Sequence, residues 1–211
     1  MCNTGEWFRH TGRVTTAAVV LAAGGGTRFA GDDHKLLAKV GGRSIIAWSV
    51  AHALAAGLDE TIVVTGAADV LGELPDGVTV LHNHDWEAGQ ARSLRVAVRW
   101  AEMAGHESIV VGVGDQPLVP ASAWQAVAAA DELPIATALL DDHRAPPVRL
   151  DSSVWSILPI DGDEGARAVM RVRPELVSEV HCDGRPFDVD TLGDLERLRS
   201  LVGSEGMDKW N

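Results

Sequence analysis

Residues 19–29 read Val19-Val20-Leu21-Ala22-Ala23-Gly24-Gly25-Gly26-Thr27-Arg28-Phe29, a short apolar run that breaks into three consecutive glycines. An apolar run bounded by glycine predicts a buried strand that ends in a tight loop. Glycine has no Cβ, so successive backbone N–H groups can turn toward an anion, and a helix N-terminus beyond the loop would add partial positive charge. Arg28 and Lys35 would supply full charges. The pattern favours a nucleoside triphosphate as ligand, but a glycine-rich turn of any α/β protein fits it equally well.

Two common phosphate-binding motifs do not match this loop. The glycines are too close together for the dinucleotide fingerprint G-x-G-x-x-G. Gly26-x4-Gly31 is followed by Asp32, where a P-loop has Lys and then Ser or Thr. Neither of these two nucleotide-binding classes is therefore indicated.

Length, charge and cysteine content narrow the class of protein. The chain has 211 residues, of which 46% are hydrophobic and 23% charged, and this is enough to bury the core of one domain. A formal net charge of -12 disfavours broad contact with nucleic acid but allows a local cationic pocket. Cys2 and Cys182 lie far apart without metal-binding spacing, so neither a disulfide scaffold nor structural zinc is indicated. A cytoplasmic location is expected.

We expect a single domain at residues 17–203, between a flexible leader at 1–16 and a C-terminal tail at 204–211. The leader carries charged residues without a continuous apolar core, so it resembles neither a signal peptide nor a membrane span. No repeat, low-complexity segment or long linker interrupts the remaining sequence.

Strand and helix patterns alternate along the chain. Apolar or β-branched runs predict strands at 17–22, 61–64, 78–81, 108–113, 135–140 and 176–181. Helices are expected from Ser44 to near Gly57, at 67–74, up to about 104, after Pro120, at 152–157, at 162–172 and from Leu192 onward. The proline-containing run at 146–150 predicts an edge or crossover strand, because proline is poorly tolerated inside a sheet.

Carboxylates follow two of the extended segments. Asp115 comes directly after the apolar run Ser108–Val113, and a carboxylate at the carboxyl end of a central parallel strand lies where open α/β sheets bind ligands. Asp115 is therefore the first candidate for a ligand of Mg²⁺, although capping of the following helix explains its position equally well. Asp188 and Asp190 share one side of an extended segment, so both can face one site; alternatively, Asp190 simply precedes a helix.

Histidines suggest a second metal site only weakly. His82 and His84 flank Asn83 in a polar stretch, but no further ligand set is evident nearby. A turn with solvated histidines is the favoured interpretation. Trp86, in the same stretch, is expected to pack against its neighbours and not to stack on a ligand.

Several motifs then occur in a fixed order. They are Leu21-Ala22-Ala23-Gly24-x-Gly26-x-Arg28, Lys35-Leu36-Leu37, Gly41-Gly42-Arg43, Asn83-x-x-Trp86-x-x-Gly89-x-x-x-Ser93-Leu94, Gly114-Asp115-Gln116-Pro117, Gly162-Asp163-x-Gly165-Ala166-Arg167 and Asp188-Val189-Asp190-Thr191. In this order and spacing the sequence resembles the MobA-like nucleotidyltransferases, and more closely the molybdenum cofactor cytidylyltransferases. The resemblance covers nearly everything after the leader.

The resemblance implies a Rossmann-like three-layer α/β nucleotidyltransferase fold with a mostly parallel sheet. It also implies Mg²⁺-dependent transfer of a nucleoside monophosphate from an NTP to a molybdopterin-type cofactor, with release of pyrophosphate. The Ala22-Ala23-Gly24 form of the loop goes with CTP in that family. A molybdoenzyme that accepts the finished cofactor, or its chaperone, is the transient partner that this activity implies. Neither nucleic acid nor a membrane is expected as a partner.

The same resemblance assigns the site residues. Arg28, Lys35 and Asp115 are the expected catalytic residues, and Asp115 and Asp190 are the expected metal ligands. Nucleotide contacts are expected from Leu21, Ala22, Ala23, Gly24, Gly25, Gly26, Thr27, Arg28, Lys35, Ser93 and Asp115. Ser93 would reach the base or ribose, or else be an ordinary helix hydroxyl.

Three alternatives stay open at this point. Asp163 and Arg167 either pair with each other four residues apart or line the acceptor pocket. The acceptor is alternatively a sugar phosphate or another phosphorylated compound, or the nucleotide is GTP. The chain is alternatively a nucleotide-binding or cofactor-binding module without turnover.

Overall fold

A seven-stranded sheet forms the centre of the structure, a computed structural model that describes residues 15–31 and 33–205. The expected leader up to residue 14 and the expected tail from residue 206 lie outside the described residues. From one edge to the other, the strands are β5 (Thr79–His82), β4 (Glu60–Thr65), β1 (Thr16–Ala22), β6 (Ser108–Val113), β8 (His143–Asp151), β7 (Ile135–Leu140) and β9 (Val177–His181). Neighbours pair in parallel except at β8, which is antiparallel to both β6 and β7.

Helices cover both faces of this sheet. One face carries α1 (Ile45–Ala55), α3 (Ala121–Ala129) and α5 (Leu192–Glu205), and the other carries α2 (Gln90–Ala104) and α4 (Ala166–Val172). Along β1, Ala18 and Val20 belong to the first core, whereas Val19 and Leu21 belong to the second. Burial on both faces explains why this strand is a continuous apolar run without alternation. The predicted three-layer α/β fold with a mostly parallel sheet is confirmed.

Helix boundaries follow local signals at α1 but not at the predicted helix 67–74. The Ser44 hydroxyl accepts from the Ala47 N–H at 3.3 Å and caps α1, as expected. The segment at 67–74 contains only a 3-10 turn, Leu71–Glu73, so that prediction is wrong. The Asp69 carboxylate accepts from the Leu71 N–H at 3.2 Å, and Gly72 follows; both features oppose an α-helix. Ser152–Ile157 is also a 3-10 helix.

The proline-containing strand β8 lies inside the sheet, so the expectation of an edge or crossover strand is wrong. Its register with β7 passes from Thr137 opposite Val148 to Ala138 opposite Ala145, so Pro146 and Pro147 fall at the register shift. Proline is tolerated at such an irregularity because no ladder hydrogen bond is required there. The edge of the sheet beyond β7 is formed by strand β9, which has no proline.

A polar cluster closes the amino end of the sheet, opposite the end where the glycine loop leaves β1. The Glu60 carboxylate accepts from the Thr79 hydroxyl at 2.6 Å, the Trp100 indole at 3.0 Å and His106 Nε2 at 2.8 Å. Burial would raise the pKa of Glu60, but these hydrogen bonds outweigh burial and hold the pKa below its ordinary value. Glu60 is therefore part of the scaffold.

The carboxyl ends of β1 and β6 lie side by side and are joined beyond the strands. The Gly114 N–H donates to the Leu21 carbonyl at 2.9 Å, which brings the loop containing Asp115 next to the glycine loop. Between the glycine loop and α1, the short strands β2 (Lys39–Val40) and β3 (Arg43–Ser44) pair antiparallel. None of the described helices has the length and apolar content that crossing a bilayer requires.

Candidate active site

Lys35 lies between two carboxylates from distant parts of the chain. Its Nζ donates to Asp115 Oδ2 at 2.6 Å and to Asp190 Oδ1 at 2.8 Å. Arg28 Nη2 lies 3.0 Å from the same Asp190 oxygen. The four charged side chains that the sequence singles out thus meet at the carboxyl end of the parallel strands.

The ammonium of Lys35 is largely enclosed by this arrangement. Its side chain is 11% exposed, against 21% for Asp115 and 23% for Asp190. Burial by itself would lower the pKa of Lys35, but the charges and hydrogen bonds of the two carboxylates outweigh it and raise the pKa above its ordinary value. Lys35 therefore remains charged at neutral pH.

His34 connects the glycine loop to Lys35, a role that no sequence pattern indicated. Its Nδ1 accepts from the Leu36 N–H at 3.2 Å and caps the 3-10 turn Lys35–Leu37. Because Nδ1 is an acceptor, Nε2 carries the proton and donates to the Gly24 carbonyl at 3.0 Å. Burial lowers the pKa of His34, the bond to Gly24 opposes this, and the charge of Lys35 lowers it further. The neutral ring therefore holds both segments in place.

The position of Asp115 excludes one of its two interpretations, that of a helix cap. Its carboxylate binds Lys35, whereas the N-cap residue of α3 is Pro120. The Asp115 carbonyl also accepts from the Val189 N–H at 3.1 Å, so main-chain bonding ties the segments that carry the two carboxylates. Asp115 therefore lies in the cluster and does not cap the helix.

Asp190 is held by the helix that it precedes. Asp194 Oδ2 accepts from the N–H of Asp190 at 3.2 Å and from that of Thr191 at 2.8 Å, while Thr191 Oγ1 accepts from the Asp194 N–H at 3.2 Å. This reciprocal pair is a capping box with aspartate in place of glutamate. The hydrogen bond from the Thr191 hydroxyl is the main cause that lowers the pKa of Asp194 to about 2. The spacing of Thr191 and Asp194 is the sequence signal that would have identified this role.

Asp188 does not join the cluster formed by Lys35, Asp115 and Asp190. Its Oδ1 accepts from Gln116 Nε2 at 2.8 Å. Burial is the main cause that raises its pKa, and the charges of Asp115 and Asp190 add to the rise. Of the two aspartates expected to face one site, Asp190 binds Lys35, whereas Asp188 binds the Gln116 side chain.

Two adjoining cavities surround the glycine loop. The first, the glycine-loop cavity, has a volume of about 240 Å³ and is lined by Leu21, Ala22, Gly24, Gly25, Gly26, Thr27, Arg28, Lys35, Leu36, Asp115 and Asp190. The second, the Trp86 cavity, has a volume of about 380 Å³, and its lining includes Ala23, Trp86, Ser93 and Asp163. Both cavities share Leu21, Gly24, Gly25, Thr27 and Asp115. Every residue expected to contact the nucleotide therefore lines one cavity or the other.

Trp86 and Ser93 have structural partners in the Trp86 cavity. A Cβ on Gly25 would lie 2.9 Å from the Trp86 ring, so the ring packs closely on the glycine loop, as expected. Ser93 Oγ accepts from Asn83 Nδ2 at 3.0 Å, and both residues are buried. The Ser93 hydroxyl thus faces inward and is not a solvated helix hydroxyl.

The structure also separates Asp163 from Arg167. Asp163 lines the Trp86 cavity, whereas Arg167 lines a different cavity. The two side chains therefore do not line one common cavity, and a role of either residue in an acceptor pocket stays a prediction. His82 and His84 are exposed, and their ring centroids lie 4.6 Å apart in an edge-to-face arrangement. This exposure agrees with the interpretation of solvated histidines.

The donor atoms at Asp115 and Asp190 suit a hard divalent cation. Two carboxylates from separate segments converge on one ammonium, and Mg²⁺ or Mn²⁺ takes one or two such groups together with phosphate oxygens and water. Across the residues that the structure describes, no group of three or more His, Cys, Asp or Glu could hold a metal. A cation here would therefore draw its other ligands from a bound polyphosphate and water.

Comparison with known protein families agrees with this arrangement. The model of the MobA-like NTP transferase domain matches residues 18–180. The chain belongs to this family. The matched segment runs from β1 into β9 and includes the glycine loop, Lys35 and Asp115, while Asp190 lies beyond it.

Relatives of known name and solved structures resemble the chain along most of its length. Nicotine blue oxidoreductase of Paenarthrobacter nicotinovorans is 28% identical, over 85% of this chain and 94% of that protein. A 2-C-methyl-D-erythritol 4-phosphate cytidylyltransferase of Cereibacter sphaeroides is 32% identical, over 74% of this chain and 65% of that protein. The structure of Rv0371c from Mycobacterium tuberculosis in complex with manganese has a TM-score of 0.72 and 27% identity, covering 89% of this chain and 99% of that chain.

Proposed function

We propose that this chain is a Mg²⁺-dependent cytidylyltransferase that transfers CMP from CTP to a molybdopterin-type cofactor and releases pyrophosphate. The observation that carries the proposal is the contact of Lys35 with both Asp115 and Asp190 at the edge of the glycine-loop cavity. Membership of the MobA-like family supports an NTP substrate. A cytidylyltransferase among the relatives and the manganese complex of Rv0371c support the nucleotide and the metal.

The reaction brings two anions together. An oxygen of the acceptor phosphate attacks the α-phosphorus of CTP, a new P–O bond forms, and the bond from the α-phosphorus to the departing pyrophosphate breaks. Positioning and electrostatic stabilisation carry most of the catalysis in such transfers, and no nucleophilic side chain is needed.

The residues of the glycine-loop cavity can supply this positioning and electrostatic stabilisation. Backbone N–H groups from Gly24 to Thr27 would hold the β- and γ-phosphates, and Arg28 and Lys35 would neutralise the negative charge that develops on the pyrophosphate. The Arg28 side chain is 74% exposed, so it has room to move with the departing pyrophosphate. Asp115 and Asp190 would hold the Mg²⁺, which when bound supplies Lewis-acid stabilisation to the phosphate oxygens.

The Trp86 cavity is the proposed place for the cytosine and ribose. It adjoins the glycine-loop cavity and contains the Ser93 hydroxyl, which is held toward the interior by Asn83. The Ala22-Ala23-Gly24 form of the loop supports CTP over GTP on the family resemblance. CTP with Mg²⁺ should therefore raise the melting temperature more than GTP with Mg²⁺ does, and at about 100-fold excess over its dissociation constant it should add about 2.7 kcal/mol of stability. An equal or larger shift with GTP would remove the CTP assignment.

Turnover is tested by incubation with each NTP and molybdopterin cofactor, followed by pyrophosphate measurement and mass analysis of the product. Asp115→Asn should reduce pyrophosphate release at least about 100-fold, because the metal loses a charged ligand. Asp76→Asn is the matched control, since Asp76 is an exposed turn residue outside the lining of the glycine-loop cavity and the Trp86 cavity. Undiminished release from a folded Asp115→Asn variant would exclude Asp115 as a metal ligand.

Hydride transfer is the competing candidate, because a relative that aligns with 85% of this chain is named an oxidoreductase. The glycine loop lacks the dinucleotide fingerprint G-x-G-x-x-G, and the pyrophosphate of a nicotinamide dinucleotide is not cleaved in hydride transfer. The paired carboxylates on Lys35 favour the cytidylyltransferase, since a divalent cation site serves the cleavage of a triphosphate. NADPH that raises the melting temperature without metal, where CTP with Mg²⁺ does not, would favour hydride transfer instead.

A further inference from the structure

His34 packs against the glycine loop without forming part of the wall of either cavity. Its Nε2 donates to the Gly24 carbonyl at 3.0 Å, and a Cβ on Gly26 would lie 2.8 Å from the same nitrogen. Gly24 and Gly26 line the glycine-loop cavity, whereas His34 lines neither that cavity nor the Trp86 cavity. The loop therefore separates the imidazole ring from the space proposed for the triphosphate.

The bond from His34 fixes the orientation of one peptide group in the loop. The peptide group that joins Gly24 to Gly25 is trans, and the carbonyl and N–H of a trans peptide point in opposite directions. Because the Gly24 carbonyl is turned toward the ring, the Gly25 N–H points away from it. Gly25 lines both cavities, so this N–H lies on the side where the phosphates would bind.

The N–H groups of the loop are not used by the part of the chain that the structure describes. Those of Gly25, Gly26 and Thr27 donate to no described residue, and the next N–H with an acceptor is that of Phe29, which bonds the Gly26 carbonyl at 2.9 Å. Such donors bond water or a ligand, and neighbouring N–H groups that face one space bind phosphate oxygens. A carbonyl oxygen turned into the same space would repel a phosphate.

We propose that His34 is a positioning residue for the triphosphate, because its Nε2–H holds the Gly24 carbonyl away from the phosphates and so presents the Gly25 N–H to them. The inference rests on the proposed function, since it concerns the triphosphate of the same reaction. The other ring nitrogen has a separate role: Nδ1 accepts from the Leu36 N–H at 3.2 Å and caps the turn that contains Lys35.

Two amide variants separate the two roles of this ring. The carbonyl oxygen of asparagine lies about as far from Cβ as Nδ1 does, so His34→Asn keeps the cap and loses the donor to Gly24. The amide nitrogen of glutamine lies about as far from Cβ as Nε2 does, so His34→Gln keeps that donor and loses the cap. If His34 had a structural role alone, triphosphate affinity would follow stability. The positioning role predicts that affinity and stability rank the two variants in opposite order.

The probe is inorganic triphosphate, added to the full chain at fixed Mg²⁺ and measured by calorimetry, with melting temperatures recorded without it. His34→Asn should bind triphosphate about tenfold more weakly than the wild type, because the loop loses one oriented donor. His34→Gln should bind triphosphate like the wild type, yet melt about 2–4 °C lower and below His34→Asn, because the cap is lost.

His143→Asn is the matched control. His143 Nδ1 also lies near a main-chain carbonyl, that of Asp141 at 2.6 Å, but it is exposed and outside the lining of the glycine-loop cavity and the Trp86 cavity. This variant should bind triphosphate with wild-type affinity. A tenfold loss in His143→Asn would overturn the proposal, because the loss would then not be specific to His34.

Three other results would also overturn the proposal: wild-type affinity in His34→Asn, a His34→Gln variant that binds as weakly as His34→Asn, or wild-type protein that binds no triphosphate. The outcome is distinguishable from that of the proposed transfer. Wild-type affinity in His34→Asn, with pyrophosphate release intact in the wild type, would refute the positioning role alone. Triphosphate binding with the expected dependence on His34, but without pyrophosphate release from any NTP, would refute the transfer alone.

Discussion

Replacement of Lys35 by methionine tests whether its ammonium competes with a divalent cation for the carboxylates of Asp115 and Asp190. Methionine keeps the length and apolar surface of the stem but removes the charge that contacts Asp115 and Asp190. The two carboxylates are then left facing each other at the carboxyl end of the sheet. We expect a less stable protein that binds Mn²⁺ or Mg²⁺ without nucleotide more tightly than the wild type does.

The magnitude follows from how far the groups are buried. Removal of one partner from a buried ion pair costs about 3–5 kcal/mol, but these carboxylates remain 21% and 23% exposed, so we expect a loss of about 2–3 kcal/mol. For a chain of this size, the melting temperature should fall by about 4–12 °C. Mn²⁺ at about 100-fold excess over its dissociation constant would restore about 2.7 kcal/mol, which is close to the whole loss.

The assay is thermal unfolding of wild-type and Lys35→Met protein with increasing Mn²⁺, followed by pyrophosphate release from CTP. Lys39→Met is the matched control, because Lys39 is 59% exposed and pairs loosely with Glu73 at 3.5 Å. The control should lose little stability and gain no added response to Mn²⁺. The reasoning is refuted if Lys35→Met is as stable as the wild type, or if Mn²⁺ shifts both melting temperatures equally.

Two other predictions concern the support of the site and the scaffold. Asp194→Ala should cost about 1 kcal/mol through loss of the capping box with Thr191. It should also weaken Mn²⁺–CTP binding because the Asp190 N–H loses its acceptor; calorimetry that shows unchanged affinity would contradict this role. Glu60→Gln should cost about 1.5–3 kcal/mol at pH 7, because the hydrogen bonds described above stabilise the carboxylate. Since the folded pKa of Glu60 is lowered, this stabilisation is present above its ordinary pKa and is lost as pH falls through the lowered value. Urea unfolding should therefore show the two proteins converging below about pH 4, and a constant difference down to pH 2.5 would contradict the assignment.

Sequence reasoning located the principal strands because their signals are local. The apolar run before Gly24 and the β-branched run at 61–64 are read from consecutive residues, and both are strands of the sheet. The prediction failed at 146–150 for a reason that is not local. Whether a proline needs a ladder partner depends on the register with a neighbouring strand, and the register shift opposite Thr137 removes that need.

The candidate site was only partly predictable for the same reason. Asp188 and Asp190 look equivalent in an extended segment, yet one binds Gln116 and the other Lys35. Their difference depends on Gln116, from the loop after β6, and on Lys35, from the turn after the glycine loop. His34 carries no motif, and its contact with the Gly24 carbonyl exists only because the loop folds back upon it.

The amino-acid sequence alone determined the α/β class, the glycine loop and the four charged residues on which the candidate site depends, because each is recorded in short-range pattern or composition. Tertiary structure alone decided that Lys35 joins Asp115 to Asp190 and that β8 lies inside the sheet. Contacts between residues 80 and 155 positions apart arise from the spatial order of the strands in the sheet. Side-chain spacing along the chain carries no record of that order.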